Sequence, residues 1–284
     1  MKQKLLIGEI PYTNLFPIFY ELKKGCNCRD YRFIKGIPSV MNKMLRKGEI
    51  DISPSSSIEY LREKDDYIYL EGHSISSLGH VKSIMLFSRL PIEDLDGREV
   101  FVTHQSETSP VLLKIIMKRF YSMDVTLKTT FVPIGNALMS HTAYLSIGDD
   151  ALVTASRAHM LKIDIPNQEY SLCTIDHNIF YVYDLGNLWL RHTGLPFVFA
   201  LWIAKRDRIN EKKELFDRFK KDLDNAKSLS QKNLKDIALA SKMKDIIGFD
   251  KLIGYWKGIS YDLSDEHLDG LETFGAFAEE LRLL

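Results

Sequence analysis

Missing from this sequence is any net charge: 38 basic side chains balance 38 acidic ones across 284 residues. A protein that holds nucleic acid by neutralising phosphates needs a basic field, so that role is excluded, and an anionic ligand must be held locally by N–H groups, hydroxyls or a few placed cations. Cysteine is scarce. Cys26, Cys28 and Cys173 form neither an even framework nor a paired C-x-x-C zinc pattern, and they read as free thiols. No apolar run approaches the roughly 20 residues that span a bilayer. Met1 to Gly8 has a basic start but a short apolar stretch, unlike a secretion signal, so the chain is expected to be cytoplasmic and free of membrane. The eight histidines are scattered, with no H-E-x-x-H; G-x-G-x-x-G and G-x-x-x-x-G-K-[ST] are absent, and no G-x-S-x-G elbow surrounds Ser83. Metal, nucleotide or redox cofactors and serine-hydrolase chemistry are therefore not expected. Internal repeats and low-complexity tracts are lacking too, and nothing specifies an oligomeric state.

What the chain has is apolar content, 45% of it, in a length that suits two modest cores. Thr193 to Trp202 is too apolar for a loop and too short for a membrane helix. A Thr-Gly entry, Pro196 and the apolar run from Phe197 predict a strand sealed on both faces, in a parallel or mixed sheet. Val81 to Ser88 is a second strand-like run. Together they suggest an α/β chain of two lobes joined by two crossing strands, near Phe87–Leu90 and Gly194–Phe199. One lobe would comprise residues 1–88 and 198–284, the other 89–197, with a ligand cleft between them.

In chain order, Leu5 to Ile10 reads as a strand. Leu15, Phe16, Ile18, Phe19 and Leu22 have helical spacing, which leaves Asn14 at the junction. Tyr31–Lys35 is a strand, and Pro38–Arg46 a helix with Val40, Met41, Met44 and Leu45 inward, stopped by Gly48. Glu49–Ser53 is a strand whose polar end, through Ser55 and Ser56, feeds a helix starting near Ile58 with a serine as its cap. The pattern recurs from Phe101, with Ser106, Thr108, a capping Ser109 and Pro110 at the first helical position. It recurs again at Ala143–Ile147, where Gly148-Asp149-Asp150 precedes a helix from Ala151. A single such junction is an ordinary cap, but four of them point to a ligand bearing carboxylate or phosphate. Open α/β sheets bind ligands beyond the carboxyl ends of their strands, and helix N-termini attract anions. Alternation along Val81–Ser88 places Ser83 with Val81 and Met85, suited to lining that cleft. Asp184 would cap a helix through Leu188, Trp189 and Leu190. Past Arg208 come amphipathic helices, with Leu215, Phe219, Leu223 and Ala226 on one inner face and Leu271, Phe274, Phe277 and Leu281 on another.

Several stretches, taken together, resemble the chorismate dehydratase family of the futalosine route to menaquinone. They are Gly8-Glu9-Ile10-Pro11-Tyr12-Thr13-Asn14, Gly36-Ile37-Pro38-Ser39, Gly48 to Tyr60, Gly79-His80-Val81-Lys82-Ser83, Ser106-Glu107-Thr108-Ser109, Ile147 to Leu152, and Tyr183-Asp184-Leu185-Gly186 with Thr193 to Trp202. Beyond about Arg208 the resemblance is weak. It implies a fold like the type 2 periplasmic binding proteins, here without secretion. It also implies conversion of chorismate, a small-molecule dicarboxylate, to 3-[(1-carboxyvinyl)oxy]benzoate and water with no cofactor. The family's functional Asn and Ser map to Asn14 and Ser83. Ser55, Ser56, Ser106, Thr108 and Ser109 are then candidate substrate holders, and Asp149 or the substrate's own side-chain carboxylate is the candidate proton acceptor. Two rivals share the fold: a cytosolic small-carboxylate binding protein without chemistry, and the sister 1,4-dihydroxy-6-naphthoate synthase. The sister has a Cys-Pro-Asn-Asp stretch after its first strand, where this chain reads Pro11-Tyr12-Thr13-Asn14.

Overall fold

The computed structural model describes residues 3–26, 29–161 and 169–284. The chain forms two compact units, Met1–Ser76 with Val198–Asp265, and Ser77–Phe197 with Glu266–Leu284. Its strands are β1 (Leu5–Glu9), β2 (Tyr31–Lys35), β3 (Ile52–Ser56), β4 (Tyr67–Ser77), β5 (Ile84–Ser88), β6 (Glu99–Thr103), β7 (Thr126–Thr130), β8 (Ala143–Ile147), β9 (His159–Met160), β10 (Ser171–Ile175), β11 (Asn178–Asp184) and β12 (Phe197–Lys205). Its helices are α1 (Phe16–Gly25), α2 (Pro38–Arg46), α3 (Ser57–Arg62), α4 (Thr108–Ile115), α5 (Ile134–Ser140), α6 (Gly148–Arg157), α7 (Leu185–Thr193), α8 (Arg206–Glu211), α9 (Lys213–Lys232), α10 (Leu234–Ala240), α11 (Lys244–Ile247), α12 (Phe249–Lys257) and α13 (Asp265–Glu280). None of the described helices is long and apolar enough to cross a membrane.

The first unit is built on a mixed sheet ordered β2-β1-β3-β12-β4, with β1 parallel to β2 and β3, and β12 antiparallel to β3. Pro17 and Pro38 sit in the first turns of α1 and α2, where a missing N–H costs nothing, and Gly48 adopts the left-handed φ of 68° that turns the chain after α2. Val40 does not face inward as its spacing suggests. It is exposed, and the polar Asn42 takes the buried place beside Met41 and Leu45. The core is aromatic at its centre: Trp202 on β12 lies 5.6 Å from both Phe19 and Phe219, and Tyr31 meets Phe219 edge-on.

The second unit has a mixed sheet ordered β7-β6-β8-β5-β11-β10-β9. Here β6 is parallel to β7 and β8, while β5 is antiparallel to both β8 and β11. Beside it Trp189 packs edge-on against Phe197 and Phe274. Gly270 of α13 makes a close approach, since a Cβ there would lie 2.1 Å from the carbonyl oxygen of Pro196.

The first passage between units differs from the expected one, and a third is added to the expected two. The first lies inside β4, between Ser76 and Ser77, not near Phe87–Leu90, because β5 is hydrogen-bonded on both edges within the second sheet. The second falls in β12, between Phe197 and Val198, and a third follows Asp265, so α13 groups with the second unit.

Cys173 is a free thiol, and Cys28 lies outside the described residues. Cys173, at the centre of the second unit's core, has its thiol pushed up to about 11 by burial. A native sample treated with iodoacetamide at mildly alkaline pH should therefore leave the Cys173 peptide unmodified by mass spectrometry, while denaturant should expose it to full labelling.

Candidate functional site

Three of the candidate residues lie in the first unit, at the carboxyl ends of the parallel strands β1 and β3. Expected to end at Ser53, β3 instead continues through Pro54 to Ser56. Its register with β1 is at Ile7↔Ile52, while the antiparallel ladder with β12 runs from Ile52 to Ser56, so the missing N–H of Pro54 leaves the outer end of the strand intact. Ser56 does not cap α3 with its side chain. It is claimed by Asn42, whose amide donates to the Ser56 hydroxyl at 2.6 Å and accepts the Ser56 N–H at 3.3 Å. The Ser57 hydroxyl donates to the carbonyl of Val198.

Asn14 is in the turn between β1 and α1. Two buried side chains from the far end of the chain hold this turn by consecutive carbonyls. Trp256 donates its indole N–H to Thr13 at 2.7 Å, and Tyr261 its phenol to Asn14 at 2.5 Å. Burial drives the Tyr261 phenol well above its ordinary range, keeping it a donor. Among the described residues the Oδ1 of Asn14, the hydroxyl of Ser55 and, in the second unit, the indole N–H of Trp189 are buried with no hydrogen-bond partner. Each such orphan costs roughly 1–3 kcal/mol, and folded chains retain few of them.

The remaining candidates gather along one edge of the second sheet. The parallel strands β6 and β8 end there, β5 starts there and β11 ends there, with Ile84 opposite Ile147 and Asp184 opposite Met85. Ser83 is buried but lies in the loop before β5, not on the strand. The left-handed φ of 60° at Lys82 breaks the alternation the sequence suggested. The carbonyl of Ser83 accepts the Gly148 N–H at 2.7 Å, which ties Ser83 to the first turn of α6, where Asp149 is half-buried. That helix begins at Gly148, earlier than Ala151, so Asp149 is part of its positive end. Likewise α4 begins at Thr108, ahead of Pro110. The capping hydroxyl belongs to Ser106, which accepts the Ser109 N–H at 3.2 Å and donates to the Ser109 hydroxyl at 3.0 Å. Thr108 and Ser109 are both buried.

The Ser83 loop is fastened by residues the sequence marked only as a helix cap. Asp184 does cap α7, accepting the Asn187 N–H at 3.1 Å. Its carboxylate also accepts the N–H groups of Val81 at 3.1 Å and Lys82 at 2.7 Å. Gly186 makes room for the same loop, since a Cβ there would stand 2.5 Å from the carbonyl of Gly79. The run Tyr183-Asp184-Leu185-Gly186 is therefore a mount for residues 79–83. Among the described residues no group of three or more His, Cys, Asp or Glu could hold a metal ion.

Two α/β units on mixed sheets, with polar loops at the carboxyl edges of their strands, make this a periplasmic-binding-protein-like fold. Solved structures of that fold align over nearly the whole chain. A protein of Archaeoglobus fulgidus superposes with a TM-score of 0.77 at 18% identity, covering 99% of this chain and 98% of that one. The alkanesulfonate-binding protein SsuA from Xanthomonas axonopodis pv. citri, bound to MOPS, gives 0.68 at 14% identity, covering 100% and 94%. A Candida albicans protein described as having the generic periplasmic binding protein fold gives 0.61 at 8% identity, covering 98% and 91%. By sequence, residues 5–280 match the family described as menaquinone biosynthesis, and the chain belongs to that family. A chorismate dehydratase of Thermus thermophilus is 29% identical over 208 residues, 71% of this chain and 70% of that protein.

Proposed function

We propose that the chain is a chorismate dehydratase, eliminating water from chorismate to give 3-[(1-carboxyvinyl)oxy]benzoate. The observation that carries this reading is the pair of buried, unpartnered polar atoms, Asn14 Oδ1 and the Ser55 hydroxyl, at the carboxyl edge of the first sheet. A buried polar group with no partner among the described residues is one that a ligand can satisfy. Membership of the menaquinone biosynthesis family, and the similarity to the Thermus thermophilus enzyme, support chorismate as that ligand.

The chemistry suits the residue inventory. Loss of the ring hydroxyl with the ring proton beside the ether oxygen makes the ring aromatic, so no external energy is needed. Removal of the proton is the difficult step. The developing anion is delocalised through the diene into the ring carboxylate, where donors fixed in advance stabilise it most. In this reading Asn14 and Ser83 orient the substrate and the leaving hydroxyl. Ser55, Ser106, Thr108 and Ser109 supply neutral polar contacts, and Ser56 serves through its bond to Asn42. Neither Asn nor Ser is a base at neutral pH, so the acceptor is Asp149 or the side-chain carboxylate of chorismate itself.

Purified protein incubated with chorismate should consume its diene absorbance and yield the carboxyvinyloxybenzoate and water in equal amounts, identified by mass spectrometry. Unchanged chorismate would overturn the reading, leaving the sister synthase or a plain binding protein in its place. If Asp149→Asn retains full turnover, the acceptor is the substrate's carboxylate.

A further inference from the structure

The edge of the second sheet that carries Ser83 is acidic. Residues 78–83, 104–110, 147–150 and 184–187 include Glu107, Asp149, Asp150 and Asp184, and only one Lys or Arg, Lys82. The Lys82 backbone is in the left-handed region, which normally goes to glycine because a Cβ is strained there. That conformation is imposed from below. Asp184, itself almost fully buried, accepts the two consecutive N–H groups of Val81 and Lys82, fixing the turn whatever the side chain at position 82. A glycine would fit the turn better, yet the position holds a lysine. Its side chain is exposed beside Ser83, and among the described residues its ammonium has no hydrogen-bond or ion-pair partner. A strained residue with an unengaged charge, on a loop fastened by a buried carboxylate, points to a use for the side chain.

We propose that Lys82 is the cationic contact for one carboxylate of the substrate, and that it selects dianionic ring acids over monoanionic ones. The inference deepens the proposed function and rests on it. The other polar side chains on this edge are hydroxyls, of which Ser106 and Ser109 already bond to each other, the amides of Gln105 and Asn187, carboxylates, and the imidazoles of His104 and of His80, which lies 3.6 Å from Asp184. An exposed ammonium both offsets that acidity and draws in a doubly negative ligand, an effect that salt screens.

The test compares wild type with Lys82→Met, Lys82→Arg and Lys82→Gly in steady-state turnover of chorismate at low and high salt. Lys82→Met should raise KM about 10- to 100-fold with kcat nearly unmoved, and should flatten the salt dependence. Lys82→Arg should recover most of the loss. Lys82→Gly should melt no lower than wild type and still show the raised KM, which separates a lost contact from a damaged loop. Wild-type KM in both the Met and Gly variants of an active enzyme would overturn the role of Lys82 while leaving the dehydratase reading intact. Should the wild type leave chorismate untouched, calorimetry with isophthalate against benzoate decides the matter. A preference for the dianion that Lys82→Met abolishes supports the inference, and equal binding of the two overturns it.

Discussion

Asp184→Ala should lower the unfolding free energy by about 3 kcal/mol and the melting temperature by roughly 6–12 °C, and cut turnover at least about 100-fold. The substitution removes the acceptor for three backbone N–H groups at once: Asn187 at the start of α7, and Val81 and Lys82 in the loop before Ser83. Losing the helix cap alone would cost about 1 kcal/mol and leave catalysis unaffected. The larger effect arises because the same carboxylate fixes where Ser83 lies relative to Gly148 and Asp149, and misplacement by about an ångström is enough to cost two orders of magnitude in rate. Gly186→Ala is the companion variant. It leaves every bond of Asp184 in place but drives a methyl into the Gly79 carbonyl, and should lose turnover in the same way. Calorimetric melting together with chorismate turnover checks both. An Asp184→Ala protein that melts lower while turning over at the wild-type rate would separate the loop from the chemistry.

Asn14→Leu should behave in the opposite sense for stability and the same sense for activity. Asn14 Oδ1 is buried without a partner among the described residues, so replacing the amide with an apolar group of similar shape removes a desolvated acceptor. A gain of about 1 kcal/mol, or roughly 2–4 °C in melting temperature, is expected. Turnover of chorismate should fall by a factor of about 100 to 1,000, the usual effect of removing one fixed polar group at a site of developing charge. Ser55→Ala should share the stability gain, for its hydroxyl is equally unpartnered. A chain that becomes more stable as it loses function is the signature of polar groups kept for a ligand. Lower stability with retained turnover would assign Asn14 to the scaffold. Tyr261→Phe, which deletes the donor to the Asn14 carbonyl, separates holding the turn from using its side chain.

Much of the local structure was legible because its causes are local. The proline entries of α1 and α2, the left-handed glycine after α2, the cap at Asp184 and the apolar run of β12 each depend on a few neighbouring residues. Boundaries slipped where a distant partner decided them. Pro54 reads as a strand end until β12 is placed beside β3, and Val81 to Ser83 reads as strand until Asp184, a hundred residues further on, bends the chain there.

Consecutive residues alone define an α/β chain with hydroxyls, amides and carboxylates at its strand-to-helix junctions, because hydrophobic spacing and capping chemistry are local. They also carry the motifs that place the chain in its family. Which of those polar groups are already engaged depends on the folded arrangement. Ser56 is taken by Asn42, Ser106 and Ser109 take each other, and Asn14 Oδ1 and the Ser55 hydroxyl are buried with no partner among the described residues. Hydrogen-bond satisfaction is a property of pairs brought together across the fold, and no run of neighbouring residues encodes it.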